Sequence, residues 1–276
     1  MTQAQSARVG LSRGARLYLR LQERLGWLPP GPRALHQAIW LGLLDPPELN
    51  RITRFHYGRP GGFESEAHNL GGLWPWEADV VRGCFAGRHR LLVAGAGGGR
   101  EAIALVRLGH AVTACDFCPA LTAACRRHAE RAGVQVRVIE APPDGLPSGL
   151  GIYDGIYAGR GFYHHIPGRG RRIAFLTACR RHLVPGGPLF LSDFFTRPAS
   201  GRPGVRAARI ANGIRRLRGS PEAIEQGDWL SDCLQHAFTP REISSELGEA
   251  GFRMERYAVS PFGPGSRLGH AVGIAR

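Results

Sequence analysis

The run LLVAGAGGGREAIAL, residues 91–105, constrains this chain more than any other stretch. An apolar, strand-like segment leads into Gly95, Gly97, Gly98 and Gly99, after which apolar residues return at helical spacing. A strand, a turn stripped of side chains and a helix in immediate succession bare backbone amides at a helix N-terminus. A ligand can then lie against the main chain at the carboxyl end of the strand.

The chain beyond this point is rhythmic. Strands are expected at 90–94, 110–115, 134–139 and 152–158, and at the segment VPGGPLFLSDFF. Helices are expected at 100–108, 119–132 and 169–183, with Pro119 at a favoured first-turn position and Gly109 and Gly133 as stops. Alternation of this kind implies an α/β, doubly wound, mostly parallel sheet with helices on both faces. The rhythm then breaks at VRAARIANGIRRLRG, residues 205–219, which reads as an inserted basic amphipathic helix. In FTPREISSELGEAGF, Thr239 and Glu242 form a capping-box pattern and Gly251 a stop. The last two apolar runs, 252–259 and 268–275, can pair as an antiparallel hairpin.

Ahead of the rhythmic part, Leu17, Leu21, Leu25 and Leu28 recur at helical spacing up to Pro29 and Pro30, and a second helix is expected at about 32–44. Residues 54–85 mix turn glycines with aromatics. They suit either a lid over a substrate or a connection packed by Trp74 and Trp76. No apolar run reaches the length of a membrane span, and the arginine-bearing start lacks a secretory pattern, so a cytoplasmic location is expected.

The formal charge of +14 points toward nucleic acid or another anionic surface, yet all 36 basic residues are arginine, as a GC-rich codon bias would produce. Six cysteines in apolar or helical surroundings read as reduced thiols. Cys115, Cys118, Cys125 and His128 could nominally make a zinc set. The spacing is unusual, Asp116 inside the pair has a better use, and no metal is expected.

The glycine loop alone leaves its ligand open. Gly97, Gly99 and Ala102 fit a dinucleotide spacing and so a nicotinamide oxidoreductase, whereas Gly95, Gly97 and Gly99 fit nucleoside-type cofactors without a pyrophosphate. Asp116, 17 residues after Gly99 at the end of the second strand, serves either as an acceptor for both ribose hydroxyls or as a helix cap.

Six segments, LLVAGAGGGREAIAL, VTACDFCPAL, VRVIEAPPDGLP, YDGIYAGRGFYHHIP, LVPGGPLFLSD and FTPREISSELGEAGF, stand in the order and approximate spacing of the class I S-adenosylmethionine-dependent methyltransferases, which the chain resembles over about residues 76–276. The resemblance implies a Rossmann-like, seven-stranded sheet whose last strand inserts antiparallel. Residues 1–13, polar, small and without periodicity, are expected to be disordered, 14–89 to form a helical and loop-rich cap on the substrate side, and 90–276 to be the catalytic domain with a helical insertion at about 200–237. The resemblance also implies that Gly95, Ala96, Gly97 and Gly99 pass under the methionine part of S-adenosyl-L-methionine and that Asp116 holds the ribose. Phe117 would lie against adenine, Glu140 or Ala141 at its edge, and Ala158 and Gly159 near the sulfonium. Where the family usually has an acid two residues before the first glycine, this chain has Val93, and Glu101 is the substitute expected for the methionine ammonium.

In-line methyl transfer gains chiefly from geometry and, where needed, from removal of a proton. RGFYHHIP supplies the candidates: His164 and His165 as bases, with Tyr163 and Arg160 facing the acceptor. The segment DGIYAGRG lacks the Asn/Asp-Pro-Pro-aromatic signature of adenine or glutamine amino-group methylation, and no Pro-Cys follows the fourth strand. A small-molecule acceptor is therefore expected, held with the help of Tyr57 and Trp76. Nucleic-acid modification or binding is the alternative, drawn from the charge and from Arg206, Arg209, Arg215, Arg216 and Arg218.

Overall fold

The glycine loop sits where a parallel sheet opens. In the computed structural model, which describes residues 10–59, 61, 63–198, 204–259 and 268–276, β1 (Arg90–Ala94) lies between β2 (Ala111–Asp116) and β4 (Gly155–Ala158). β3 (Arg137–Glu140) flanks β2 and β5 (Pro188–Thr196) flanks β4, all parallel. The last strand, β9 (Leu268–Ala275), runs antiparallel against β5 and in turn pairs β8 (Phe252–Val259). These seven strands are the sheet expected from the resemblance.

Two further strands raise the described total to nine. A register shift between Leu191 and Phe194, at Asp193 with a φ of 46°, interrupts the β5–β9 ladder, which resumes at Phe194 and Phe195. The end of β5, Phe195 and Thr196, also pairs with β7 (Leu234–Phe238), which forms a hairpin with β6 (Asp228–Leu230). The stretch at 200–237 is thus more than a helix. Strands this short carry too little alternation to register in sequence. Residues 199–203 lie outside the described residues.

Helices cover both faces. α5 (Pro75–Cys84), α6 (Arg100–Arg107) and α7 (Pro119–Arg131) lie on one side, where Val80, Val81, Leu91, Val93, Leu105, Tyr157 and Phe190 form a core. α8 (Arg169–Arg181) and α10 (Pro240–Glu249) lie on the other, over Leu92, Ile156, Leu176, Leu191 and Phe252. At the start of α10 the capping box forms: Thr239 Oγ1 accepts from the Glu242 amide at 3.2 Å and the Glu242 carboxylate accepts from the Thr239 amide at 2.6 Å.

The N-terminal part contains α1 (Arg13–Leu25), α2 (Pro30–Leu43), α3 (Pro46–Tyr57) and the short α4 (Glu66–Leu70). Of the stretch 1–13, residues 1–9 lie outside the described residues, whereas Leu11 is buried and the Ser12 hydroxyl accepts from the Ala15 amide at 3.0 Å. Ordered chain therefore begins before residue 14. α3 is a helix the periodicity does not announce, although Asp45-Pro46-Pro47-Glu48 is a helix-start sequence and the Glu48 carboxylate accepts from the Asp45 amide.

A third core unites distant segments: Tyr18, Trp40, Leu41 and Ile52 pack with Ala211 of α9 (Val205–Leu217), Leu230 and Leu234. Arg215 fastens it, donating to the Leu41 and Leu44 carbonyls at 3.1 and 2.8 Å.

Candidate functional site

A cavity of about 320 Å³ opens at the carboxyl ends of the parallel strands. Its floor is the loop after β1. Gly95, Gly97 and Gly99 have φ of 68°, 54° and 102°, the left-handed region that L side chains rarely adopt. A methyl group at Gly97 would meet nothing within 4 Å, so the main chain there is bared to the cavity. Gly99 instead serves packing, since a Cβ would stand 2.8 Å from Cys125 Sγ, and it does not line the cavity. The His128 ring donates Nδ1–H to the Gly98 carbonyl at 2.8 Å and steadies the loop from α7.

Asp116 ends β2 beside this floor. Its carboxylate accepts from the Gly97 amide at 2.9 Å and the Cys118 amide at 2.8 Å, which ties the first two strand ends together. Burial pushes its pKa up, while the amides of Cys118, Gly97 and Phe117 oppose that rise. Phe117 lies alongside it in the lining. Glu140 is exposed and outside the cavity, paired in register with Asp116, and the Ala141 amide donates to the Asp116 carbonyl at 2.9 Å.

Around Val93 the chemistry is rearranged. Val93 is fully buried and pairs with Tyr157, whose hydroxyl donates to Glu77 at 3.0 Å. Arg100 grips Glu77 through two bonds of 2.6 and 2.7 Å and reaches Glu101 at 2.7 Å. Burial works against the Arg100 charge, but Glu101 and Glu77 outweigh it and hold its pKa above the ordinary value. Two carboxylates share one guanidinium, so negative charge is left over. Glu101 and Arg100 line the cavity.

Opposite the floor, α3 contributes Asn50, Thr53, His56 and Tyr57. The Tyr57 hydroxyl lies 2.6 Å from His165 Nε2, and His165 Nδ1 lies 2.6 Å from the Leu234 carbonyl. Because a carbonyl only accepts, Nδ1 carries the ring proton and Nε2 takes the tyrosine proton. Burial pushes the His165 pKa down to about 4 and that of His164 well below its usual value, so both rings are neutral at pH 7. His164 sits between His165 and Phe195 at ring distances of 4.3 and 4.6 Å. Its Nδ1 is buried and, among the described residues, without a hydrogen-bond partner. Both histidines line the cavity, and burial makes each a weaker base than the ordinary imidazole of the sequence expectation. The lone pair of His165 is already engaged by Tyr57.

The remaining expected residues divide clearly. Arg160 lines the cavity, donating to Asp193 at 2.9 Å with its guanidinium 4.5 Å from the Trp74 ring centre. Tyr163 does not line it. That side chain is fully buried, donates to Glu246 and stacks on Phe238. Trp76 is also elsewhere, packed against the α5 side of the sheet and stacked on His270 at 4.8 Å. Ala158 is core, and Gly159 allows close approach, since a Cβ would fall 2.2 Å from the Gly95 carbonyl oxygen. Neither is in the lining; the neighbouring Gly161 and Phe162 are. Sequence reasoning missed Asn50, Asn69, Asp144 and Gln235. Asn69 of α4 covers Gly98 so closely that a Cβ there would meet its Oδ1 at 2.5 Å. Among the described residues, no group of three or more His, Cys, Asp and Glu is arranged to hold a metal, and no helix is long and apolar enough to cross a membrane.

Residues 91–187 match the family model described as a methyltransferase domain. A ubiquinone biosynthesis O-methyltransferase of Xanthomonas axonopodis pv. citri is 35% identical over 167 residues, 60% of this chain and 63% of that protein. Its counterpart in Xanthomonas oryzae pv. oryzae is 35% identical over 112 residues, covering 40% of this chain and 45% of the relative. The chain therefore matches less than two thirds of the length of these curated relatives.

Among solved structures, the Burkholderia thailandensis 1,6-didemethyltoxoflavin-N1-methyltransferase, bound to 1,6-didemethyltoxoflavin and S-adenosylhomocysteine, superposes with a TM-score of 0.59 at 20% identity, over 84% of this chain and 91% of that one. An amino pentose methyltransferase from Micromonospora echinaspora gives a TM-score of 0.52 at 18% identity, over 79% and 94%. These likenesses show the fold, a Rossmann-like methyltransferase sheet, and residues 91–187 carry the segment that the methyltransferase-domain model describes.

Proposed function

We propose that this protein transfers a methyl group from S-adenosyl-L-methionine to a small-molecule acceptor inside the cavity. The observation that carries the reading is the junction of Gly97 and Asp116, where bared main chain meets a buried carboxylate at the ends of β1 and β2. A carboxylate there suits two ribose hydroxyls, and Phe117 beside it suits an adenine face, with Glu140 and Ala141 toward its edge. Gly95, Ala96 and Gly97 would run under the methionine chain, with Gly99, Ala158 and Gly159 shaping the turn. The surplus negative charge of the Glu77–Arg100–Glu101 group would receive the methionine ammonium through Glu101, in place of the acid absent at Val93.

When bound, the cofactor supplies an electrophilic methyl group on a sulfonium. This chain's residues do the positioning: Tyr57, Phe63, Arg160 and Phe195 surround the acceptor half of the cavity. A hydroxyl or N–H acceptor must shed a proton as the new bond forms. It would pass to Tyr57 Oη as the phenol proton moves to His165 Nε2, leaving Nδ1–H on the Leu234 carbonyl. The names of the relatives, an O-methyltransferase for ubiquinone biosynthesis and enzymes acting on small molecules, favour this acceptor class over nucleic acid. The free, mostly buried cysteines fit a cytoplasmic setting.

Calorimetric titration with S-adenosylmethionine and S-adenosylhomocysteine tests the reading. Saturable binding of both, with none of NAD(H) or NADP(H), is expected. No binding of either sulfur nucleoside would overturn it. A screen of phenols, catechols and amines for S-adenosylhomocysteine release then identifies the acceptor.

A further inference from the structure

α2 buries Ala38, Trp40, Leu41 and Gly42 yet leaves Leu35, Ile39 and Leu43 exposed, one turn apart along a single ridge. The ridge is not isolated. α9 packs along α2 so closely that a Cβ at Gly42 would stand 2.7 Å from Ile214 Cβ, and Arg218 donates to the Gly42 and Leu43 carbonyls. This contact sets Leu217, 90% exposed, near the Leu43 end of the ridge, and Ile210, also exposed, lies two turns earlier on α9. Ahead of the N-terminal end of α2, the α1–α2 turn presents Trp27, 78% exposed. Leu35, Ile39 and Leu43 thus form an exposed apolar ridge, with Ile210, Leu217 and Trp27 exposed on the elements that adjoin α2.

Charge defines what can cover that face. α2 and α9 contain no acidic residue, and α1 carries Glu23 against Arg13, Arg16, Arg20 and Arg24. Arg33, Arg206, Arg209 and Arg216 are exposed around the apolar ridge. A second copy would bring arginine against arginine. Nucleic acid would satisfy the arginines but leave the aliphatic ridge without a partner. An anionic bilayer surface satisfies both, taking guanidinium groups at its headgroups and Trp, Leu and Ile side chains just beneath.

We propose that the α1–α2–α9 face docks this protein peripherally on anionic phospholipid membranes. The apolar ridge inserts shallowly and the arginines hold the headgroups. Docking does not depend on methyl transfer, because none of these residues lines the cavity.

Flotation of the full chain with vesicles of equal parts phosphatidylglycerol and phosphatidylcholine, against vesicles of phosphatidylcholine alone, is the test. Wild type should float with the anionic vesicles and stay behind with the neutral ones. One basic residue at an anionic surface contributes about fivefold, so R206Q, R209Q and R216Q together should lower partitioning by about 100-fold. The pair I39N and L43N, at exposed positions, should lower it by about tenfold or more while S-adenosylhomocysteine binding and the circular-dichroism spectrum stay as in wild type. The proposal is overturned if anionic vesicles do not bind, if binding survives the substitutions on the ridge, or if the arginines serve only to capture a double-stranded oligonucleotide.

Discussion

The Tyr57 hydroxyl and His165 Nε2 lie 2.6 Å apart, joining the cap helix α3 to the segment after β4 across the mouth of the cavity. Because His165 Nδ1–H is held by the Leu234 carbonyl, the phenol is the group left to meet an acceptor. Tyr57→Phe keeps the ring and removes the relay. Turnover is expected to fall about 100-fold with S-adenosylhomocysteine affinity unchanged, measured by kcat and calorimetry on the same preparation. Equal kcat in the variant would show that the phenol only packs.

Glu101 is argued to receive the methionine ammonium. Glu101→Gln should weaken S-adenosylhomocysteine by about tenfold or more, the scale of losing a charge-assisted contact. It should leave 5′-methylthioadenosine, which lacks the amino-acid part, nearly unaffected. Equal losses for both ligands would mean that Glu101 acts only by placing Arg100.

Asp116→Ala removes both the expected ribose contact and the bonds to the Gly97 and Cys118 amides. Cofactor affinity should fall by about tenfold or more, as for a lost charge-assisted pair. Adenosine competition should weaken in parallel. Unchanged affinity in a folded variant would place the ribose elsewhere.

Arg172 is fully buried against Glu246 and Glu225, and Tyr163 completes the group by donating to Glu246. Removing the cation strands a carboxylate inside the α8–α10 packing. Arg172→Ala should cost about 3–5 kcal/mol in denaturant unfolding. Loss of the wild-type His165 tautomer signal in nitrogen NMR would show that the same group positions the histidine segment.

The buried histidines set an acid limit. With the folded pKa of His165 pushed down to about 4 and that of His164 well below its ordinary value, the unfolded chain binds more protons than the native one below their ordinary pKa. Stability is therefore full above about pH 6.5 and declines as pH falls toward 4, with each histidine contributing up to about 1.4 kcal/mol per pH unit. Urea midpoints measured from pH 7 to pH 4.5 should fall steadily. Replacing His164 by Gln should flatten the slope, and a slope that does not change would mean another group titrates.

The glycine loop and Asp116 beside it were legible because they are local. A positive-φ glycine has almost no substitute, and an acid at a strand end stands at a fixed distance from it. The opposite wall of the cavity was not. Asn50, Asn69, Asp144 and Gln235 reach the cavity from four separate segments, and no spacing rule connects them. Trp76 and Tyr163 were misread for a related reason, since an aromatic beside a turn can face a cavity or a core with the same neighbours in sequence. The β6–β7 hairpin escaped because three- and five-residue strands carry almost no alternation, and α3 escaped with it although Asp45-Pro46-Pro47-Glu48 is a helix-start sequence.

The core that joins Tyr18, Trp40 and Ile52 to Ala211, Leu230 and Leu234 has a consequence for synthesis. A ribosome delivers one half of that core well over a hundred residues before the other. The early helices must wait, with apolar faces uncovered, until the hairpin emerges. The wall facing the glycine loop is consequently finished after strands β1 to β5, and a nascent chain halted within α9 should present that loop beneath an unfinished roof.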